Sequence, residues 1–291
     1  MSREARLHKV LAHCGVGSRR ECEKIIEQGR VVVNGKPVTK VGTKVDPDRD
    51  ELRVDGEKVQ LEESVYYLVH KPRGYVCTSR DPEGRPRILD LLRDDRHRLY
   101  TVGRLDAESE GLILLTNDGE ITNVICHPRY QVDKTYRLTV QGEVRPEQVA
   151  RVERGVWLAE GRTGPAEVRR VRRRGERTEL LITLWEGRNR ELRRILGRVG
   201  LQVTHLVRTA IGPLRMEGLP VGRCRRLDPK ELAFARCRLS KEWQPEAGPR
   251  PRPPAAGRRP RRGDARRPLR GDRPRRGPGR GAPRRGGRAE R

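Results

Sequence analysis

Three carboxylates alternate along one short polar segment of the chain. Asp106, Glu108 and Glu110 lie within residues 103–111, between two β-like runs, and loops in such positions commonly carry active sites. Paired carboxylates suit general acid–base chemistry of the glycosidase type or the coordination of a hard metal ion. A merely solvated turn has the same composition, so the spacing alone leaves these three interpretations open.

The elements around this acidic segment predict an α+β domain. Short β-rich runs are separated by irregular lengths that favour a mostly antiparallel sheet. These runs lie at 65–69, 99–102, 112–115, 136–140 and 180–185. The clearest helix is predicted over 188–199, where apolar residues recur at helical spacing and Arg193 lies off the apolar stripe. Tyr136 belongs to an alternating strand, so its ring could either fill the core or serve a site.

A smaller module is predicted at the start of the chain. Apolar residues at helical spacing predict one helix over 5–14. The capping box of Ser18 and Glu21 begins a second helix, which ends at Gly29. The dipeptide Asn34-Gly35 then favours a tight β-hairpin turn. The first 45 or so residues therefore predict two helices followed by a hairpin.

The charge of the chain points to a polyanionic partner. Its 291 residues carry 66 Lys plus Arg against 40 Asp plus Glu, a formal net charge of +26. Residues 241–291 carry half of this excess and are rich in Gly and Pro, which predicts a disordered tail. Arg19 and Arg20 lie at the start of the second helix, where backbone N–H groups also attract phosphate. We expect them to contact a nucleic-acid backbone, although a solvated charged face would have the same pattern.

Composition also argues against several classes of protein. No apolar run approaches the ~20 residues that a membrane-spanning helix requires. The first ten residues are charged and lack an export signal, so a cytoplasmic location is expected. Six Cys residues without a CxxC pair favour reduced thiols, and no metal site is expected. The sequence contains neither a GxxxxGK[ST] nor a GxGxxG pattern, the usual signatures of phosphate and dinucleotide binding.

The first module resembles the S4 RNA-binding domain. The resemblance is carried by RLHKVLAHCGVGSRRECEKIIEQGRVVVNGKPV, including its SRR step and its VNG hairpin. It implies a structured RNA as ligand. It does not imply what happens to that RNA, because S4 domains occur on ribosomal proteins, assembly factors, aminoacyl-tRNA synthetases and modification enzymes.

The remainder of the chain resembles the RNA pseudouridine synthases of the RsuA/RluB type. The acidic segment GRLDAESEGLILLTNDG looks like their catalytic-aspartate motif. Three further stretches follow the order of the family, namely VYYLVHKPRGYVCTSRDPEGRPRILDLL, HPRYQVDKTYRLTV, and EGRNRELRRIL with LVRTAIGPL. The predicted organisation is an S4 domain at 1–62, a synthase domain at 63–238 and a disordered tail at 239–291. His70 and Ala210 depart from the family pattern, which puts only local RNA contacts in doubt.

The resemblance implies a role for each matching residue. Asp106 is expected to be the catalytic aspartate, Tyr136 the aromatic residue that contacts the target base, and Arg193 the basic partner that keeps Asp106 charged. The contacts expected with RNA are made by Arg19, Arg20, Lys71, Arg104 and Arg208. Asp106 could attack the sugar covalently or remove a proton from it, and the sequence does not choose between these routes.

The expected activity is therefore the isomerisation of uridine to pseudouridine in ribosomal RNA. The basic tail favours 23S large-subunit RNA as the partner, with 16S small-subunit RNA as the alternative. The enzyme is expected to act as a monomer and to need no cofactor, because the reaction only moves a bond within the substrate. A non-catalytic RNA-binding assembly factor is a second possibility, and the absence of HIGH-like and KMSKS-like motifs argues against a tRNA synthetase.

Overall fold

A computed structural model describes residues 4–92, 96–240 and 243–244 of the chain. Its N-terminal part contains the two predicted helices and the predicted hairpin, and the strands of this part form two small sheets. The elements are β1 (Ala5–Arg6), α1 (Leu7–His13), α2 (Arg19–Glu27), β2 (Val31–Val33), β3 (Lys36–Val38), β4 (Lys44–Val45), β5 (Leu52–Val54) and β6 (Glu57–Lys58). Strands β3, β2, β5 and β6 pair in that order, and β1 pairs with β4.

Local sequence signals account for this N-terminal part. The Ser18 side chain accepts a hydrogen bond from the backbone N–H of Glu21, and the Glu21 carboxylate accepts one from the N–H of Ser18, which confirms the capping box. Asn34 and Gly35 both have positive φ, as a tight hairpin turn requires. This two-residue turn joins Val31–Val33 to Lys36–Val38, which pair as the two strands of the hairpin.

The larger part is an α+β fold built on one mixed sheet. Its strands are β7 (Tyr66–Lys71), β8 (Tyr100–Val102), β9 (Glu110–Thr116), β10 (Lys134–Gln141), β11 (Trp157–Leu158), β12 (Gly161–Arg162), β13 (Glu167–Arg174), β14 (Arg177–Leu184), β15 (Val203–Ile211), β16 (Leu214–Arg215) and β17 (Cys224–Arg226). Its α-helices are α3 (Gly119–Cys126), α4 (Pro146–Arg154), α5 (Glu191–Arg198) and α6 (Ala233–Arg236). Short 3-10 turns occur at Ile88–Leu92, Pro128–Tyr130, Pro229–Leu232 and Cys237–Leu239.

The sheet follows the order β13-β14-β10-β15-β9-β7-β17, with β16 beside β15 and β8 beside β9. Strands β15 and β9 run parallel, and the other pairs in this sheet are antiparallel, which confirms the predicted topology. Helix α5 buries Leu192, Ile195 and Leu196 against one half of the sheet. A separate apolar cluster lies on the other half, where Ile121 and Val124 of α3 pack with Leu112 of β9.

A close backbone approach joins the two halves of the sheet. Gly111 of β9 lies opposite Arg208 of β15 with a φ of +115°, a conformation that favours glycine. A β-carbon placed on Gly111 would lie 2.5 Å from the backbone nitrogen of Arg208, so a larger residue would force the strands apart. The parallel junction therefore requires glycine next to the acidic segment.

The two folded parts are joined through Asn117. Its side chain accepts a hydrogen bond from Val65 N–H at 3.0 Å and donates to Glu63 O at 2.9 Å. The N–H of Glu62 in turn donates to His13 O at the end of α1. The predicted boundary after residue 62 falls within this connection and remains a prediction. Within the described part of the chain, no helix has the length and apolar character needed to span a membrane.

Only the beginning of the predicted tail at 239–291 is among the described residues. There Trp243 packs on Tyr130, with ring centroids 5.6 Å apart, and the Arg238 guanidinium lies over the Trp243 ring. The rest of that prediction lies outside the described residues.

Candidate active site

The loop between β8 and β9 presents Asp106. The N–H of Ser109 donates to Asp106 O at 3.0 Å, which closes a turn around the aspartate. The Lys71 ammonium ion donates to Ser109 O at 2.7 Å, to Ala107 O at 3.3 Å and to Pro72 O at 3.0 Å. One buried cation thus holds the backbone that directly follows Asp106.

Lys71 occupies a different place from the one predicted. Its residue is completely buried, with 0% of its surface exposed, so it does not present its charge to RNA in this structure. Burial lowers the pKa of the Lys71 amine, and its three carbonyl partners satisfy its donors. We therefore assign Lys71 to positioning the Asp106 loop. The sequence showed a basic residue after a strand but gave no sign that its side chain turns inward.

An open cleft of about 440 Å³ brings the predicted catalytic residues together. Asp106, Tyr136 and Arg193 all line it, and Arg104 also contributes to its wall. Tyr136 is half-buried on β10, where it packs against the apolar cluster under α5 and also reaches the cleft.

The arginine that lies beside Asp106 is Arg190. Its Nη1 atom is 3.6 Å from Asp106 Oδ2 and 3.1 Å from Glu108 Oε1. Arg193, the predicted partner, instead places Nη2 3.7 Å from Glu108 Oε2 and donates from Nη1 to Val203 O. Among the described residues, the bidentate Asp106–Arg193 pair expected from the sequence is therefore not formed. The two arginines lower the pKa of Glu108, chiefly through the Arg190 hydrogen bond.

Backbone conformation explains why Arg190 escaped the sequence analysis. Helix α5 begins at Glu191 rather than at 188, and Arg190 precedes it in the left-handed conformation with a φ of 46°. This conformation is uncommon for a residue other than glycine and often marks a functional constraint. Helical periodicity treats Arg190 as one more exposed cation of the helix. The left-handed turn instead places it across the cleft from the acidic loop.

A carboxylate network fixes the start of α5. Glu191 is buried, and its Oε2 accepts a hydrogen bond from Arg188 N–H at 2.9 Å. Arg188 Nε donates to Glu186 Oε2 at 3.0 Å, and Glu186 Oε1 accepts from Gly164 N–H at 2.5 Å. Burial and the neighbouring Glu186 carboxylate raise the pKa of Glu191 to about 7.

We expect Glu191→Gln to change how stability depends on pH. Because the pKa of Glu191 is higher in the folded chain than in the unfolded chain, the folded state binds more protons between pH 4.5 and about 7. Wild-type stability should fall as pH rises through this window, and the variant should lack that loss. Above pH 7 the variant should gain up to about 3 kcal/mol relative to wild type. Urea unfolding at several pH values measures this difference.

Glu147→Gln is the matched control. Glu147 is exposed in the first turn of α4, so it occupies a comparable helix position without burial. Its substitution should shift stability by a few tenths of a kcal/mol with little change across the same window. Equal pH profiles for wild type and Glu191→Gln would contradict the buried-carboxyl interpretation.

The third carboxylate of the acidic segment lies in a separate cluster. Glu110 Oε1 is 3.2 Å from His70 Nε2, and Glu110 Oε2 is 3.6 Å from His205 Nε2. The other ring nitrogen of His70 lies 2.8 Å from Leu219 O. Asp106, Glu108 and Glu110 therefore have different surroundings. Within the described ranges, no group of three His, Cys, Asp or Glu side chains is placed to hold a metal ion.

The remaining predicted RNA contacts lie outside the cleft lining. Arg208 is buried, and its Nε donates to Leu112 O at 2.7 Å. Arg19 and Arg20 are exposed at the start of α2, and Arg19 Nη2 lies next to Gly119 at the start of α3. Arg208 thus ties β15 to β9, whereas Arg20 presents its charge to solvent.

Comparison with known proteins agrees with this architecture. The model of a family described as RNA pseudouridylate synthase matches residues 65–197, and the S4 domain model matches residues 5–50. A Bacillus subtilis protein named ribosomal large subunit pseudouridine synthase B is 42% identical over 229 residues, covering 78% of this chain and 93% of that protein. A Yersinia pestis protein of the same name is 40% identical and covers 79% of this chain and 75% of that protein. A solved structure titled pseudouridylate synthase is 29% identical with a TM-score of 0.57, covering 79% of this chain and 99% of that one.

Proposed function

The chain belongs to the RNA pseudouridylate synthase family, and on that premise we propose that it converts one uridine of large-subunit ribosomal RNA to pseudouridine. The observation that supports this most directly is the cleft itself. Asp106 and Tyr136 line it together with Arg190 and Arg193, and Arg190 lies 3.6 Å from the Asp106 carboxylate. An anion, an aromatic ring and fixed cations are the groups that a sugar-to-base isomerisation on RNA needs.

The reaction breaks the bond between ribose C1′ and uracil N1 and joins C1′ to C5 of the same base. The proton displaced from C5 is lost and N1 gains one, so the product is an isomer of the substrate. Asp106 serves either as the nucleophile at C1′ or as the base that removes a sugar proton, and both routes require its ionised form. Arg190 Nη1 lies 3.6 Å from Asp106 Oδ2, so a positive charge stands beside the proposed reacting carboxylate.

The target nucleotide must leave its stack to reach Asp106, because the reacting atoms are inaccessible within folded RNA. Tyr136 then replaces the lost stacking with its own ring, an exchange worth about 1–3 kcal/mol. Arg193 retains a role in this proposal: it holds Glu108 in the free protein and supplies positive charge to the cleft. Arg104, in the same wall, is proposed to contact the RNA backbone.

The RNA partner and the cellular location of the enzyme are proposed from the class of substrate. The names of the B. subtilis and Y. pestis relatives support 23S rather than 16S RNA. The S4 domain at 1–62 is proposed to grip structured RNA through Arg20, and the basic tail at 239–291 to add phosphate contacts. We further propose that the chain acts as a monomer in the cytoplasm.

The proposal is tested by mapping new pseudouridines. The full chain is incubated separately with 23S and 16S transcripts and with ribosomal subunits that lack the modification. Reverse transcription after carbodiimide treatment then locates the product. We expect one modified uridine, in 23S RNA. Modification of 16S RNA alone would refute the large-subunit assignment, and no product on any of these substrates would refute the activity.

A further inference from the structure

Trp157 is exposed in a way that folding does not explain. It leaves 71% of its surface in solvent, more than any other large hydrophobic residue in the described part of the chain, where Val221 follows at 54%. A tryptophan in this position keeps most of its apolar surface in water, and so contributes little of the burial that stabilises a folded domain. Its neighbour Leu158 points the other way and is buried in the apolar cluster under α5. The indole is therefore displayed from a fixed backbone.

The hairpin that carries Trp157 also displays positive charge. Trp157 of β11 pairs with Arg162 of β12, and directly opposed residues of an antiparallel pair share one face of the ladder. Arg162 Nη2 donates to Arg154 O at 3.0 Å, at the end of α4, and both arginines are exposed. The indole thus lies opposite one exposed cation, Arg162, a combination that suits a base next to its phosphate.

The same hairpin is hydrogen-bonded to the wall of the cleft that holds Asp106. Arg188, which lines the cleft, donates from Nη1 to Gly161 O at 3.1 Å and from Nη2 to Arg162 O at 2.7 Å. At the hairpin tip, Glu160 pairs with Arg194 of α5. The strand opposite Trp157 is therefore hydrogen-bonded to a residue of the catalytic wall.

We propose that Trp157 is a stacking platform for an unpaired base of the RNA strand that flanks the target uridine. This inference rests on the proposed function. Extruding one nucleotide disrupts the stacking of its neighbours, and an exposed indole on the hairpin bonded to the cleft wall restores stacking for one of them. Every base has a π face, so the platform accepts bases without strong sequence preference, while the neighbouring Arg162 attracts the RNA backbone.

Fluorescence and binding measurements on the full chain test this inference. The probes are a single-stranded oligoadenylate of about twelve nucleotides and a blunt duplex of the same length. The single strand should quench tryptophan emission of the wild type, and Trp157→Phe should lose that quenching while keeping affinity within about threefold. Trp157→Ala should weaken single-strand binding by about 5- to 150-fold. Both variants should melt near the wild-type temperature, because the side chain is exposed.

Val221→Ala is the control, since Val221 is also exposed but lies in the loop before β17. It should bind the single strand as the wild type does. Unchanged affinity of Trp157→Ala, or equal quenching of Trp157 by duplex and single strand, would overturn the platform. These outcomes are independent of the mapping experiment: a wild type that modifies 23S RNA but shows no Trp157 quenching refutes this inference alone.

Discussion

Asp106→Asn should reduce pseudouridine formation by at least about 10²–10⁴-fold, the usual contribution of a positioned acid–base or nucleophilic group. Asparagine has nearly the shape of aspartate but neither attacks C1′ nor accepts a proton at neutral pH. Only 27% of the Asp106 side chain is exposed, and its backbone carbonyl, not its carboxylate, closes the loop turn. The variant should therefore keep the fold and bind RNA within about twofold of wild type. Single-turnover assays at saturating RNA separate this chemical loss from a binding loss.

Glu217→Gln provides the comparison for charge removal alone. Glu217 is exposed in the loop after β16, away from the cleft lining, so this variant should retain wild-type turnover. Near-normal single-turnover rates for Asp106→Asn would refute the assignment of Asp106 as the catalytic aspartate. A large loss of RNA affinity in that variant would show instead that the carboxylate serves binding.

Lys71→Met should destabilise the protein and impair catalysis together. Methionine fills much of the same volume but leaves three carbonyl oxygens, of Pro72, Ala107 and Ser109, without their donor. Hydrogen bonds to a charged group contribute about 1.5–3 kcal/mol each, part of which is offset because the buried charge is no longer desolvated. We expect a net loss of about 3 kcal/mol and a Tm lower by roughly 6–12 °C. Calorimetry or urea unfolding measures it.

The catalytic effect of Lys71→Met follows from its position. Once the clamp is lost, the Asp106 turn can shift, and a displacement of about 1 Å can reduce turnover on the order of 10²-fold. Lys230→Met, at an exposed position, removes the same charge and should leave stability and turnover unchanged. A wild-type Tm for Lys71→Met would mean that the three carbonyls find other donors and that Lys71 does not stabilise the fold.

Local interactions were readable from the sequence, and long-range ones were not. The capping box at Ser18 and the turn at Asn34-Gly35 depend on residues within three positions of each other. The inward turn of Lys71 depends on a loop 36 to 38 residues further along the chain. No periodicity encodes such a contact, because a lysine after a strand is usually solvated.

The candidate site shows the same division. The motif resemblance selected Asp106, Tyr136 and Arg193, and the fold brings all three into one cleft. Which arginine pairs with Asp106 is decided by a single left-handed residue, Arg190, before α5. The periodicity of apolar residues treats position 190 as part of the helix. It therefore predicts the wrong direction for the Arg190 side chain. Family resemblance therefore located the site, and backbone geometry determined its electrostatics.

The Lys71 clamp contacts the catalytic loop through main-chain oxygens only. The contacts of the clamp are consequently independent of which side chains occupy positions 107 and 108. An engineer could alter the charge at the entrance through Glu108, or its bulk through Ala107, and retune substrate preference while the reactive carboxylate keeps its place. The same tolerance gives evolution a position where relatives can diverge in their targets without rebuilding the catalyst.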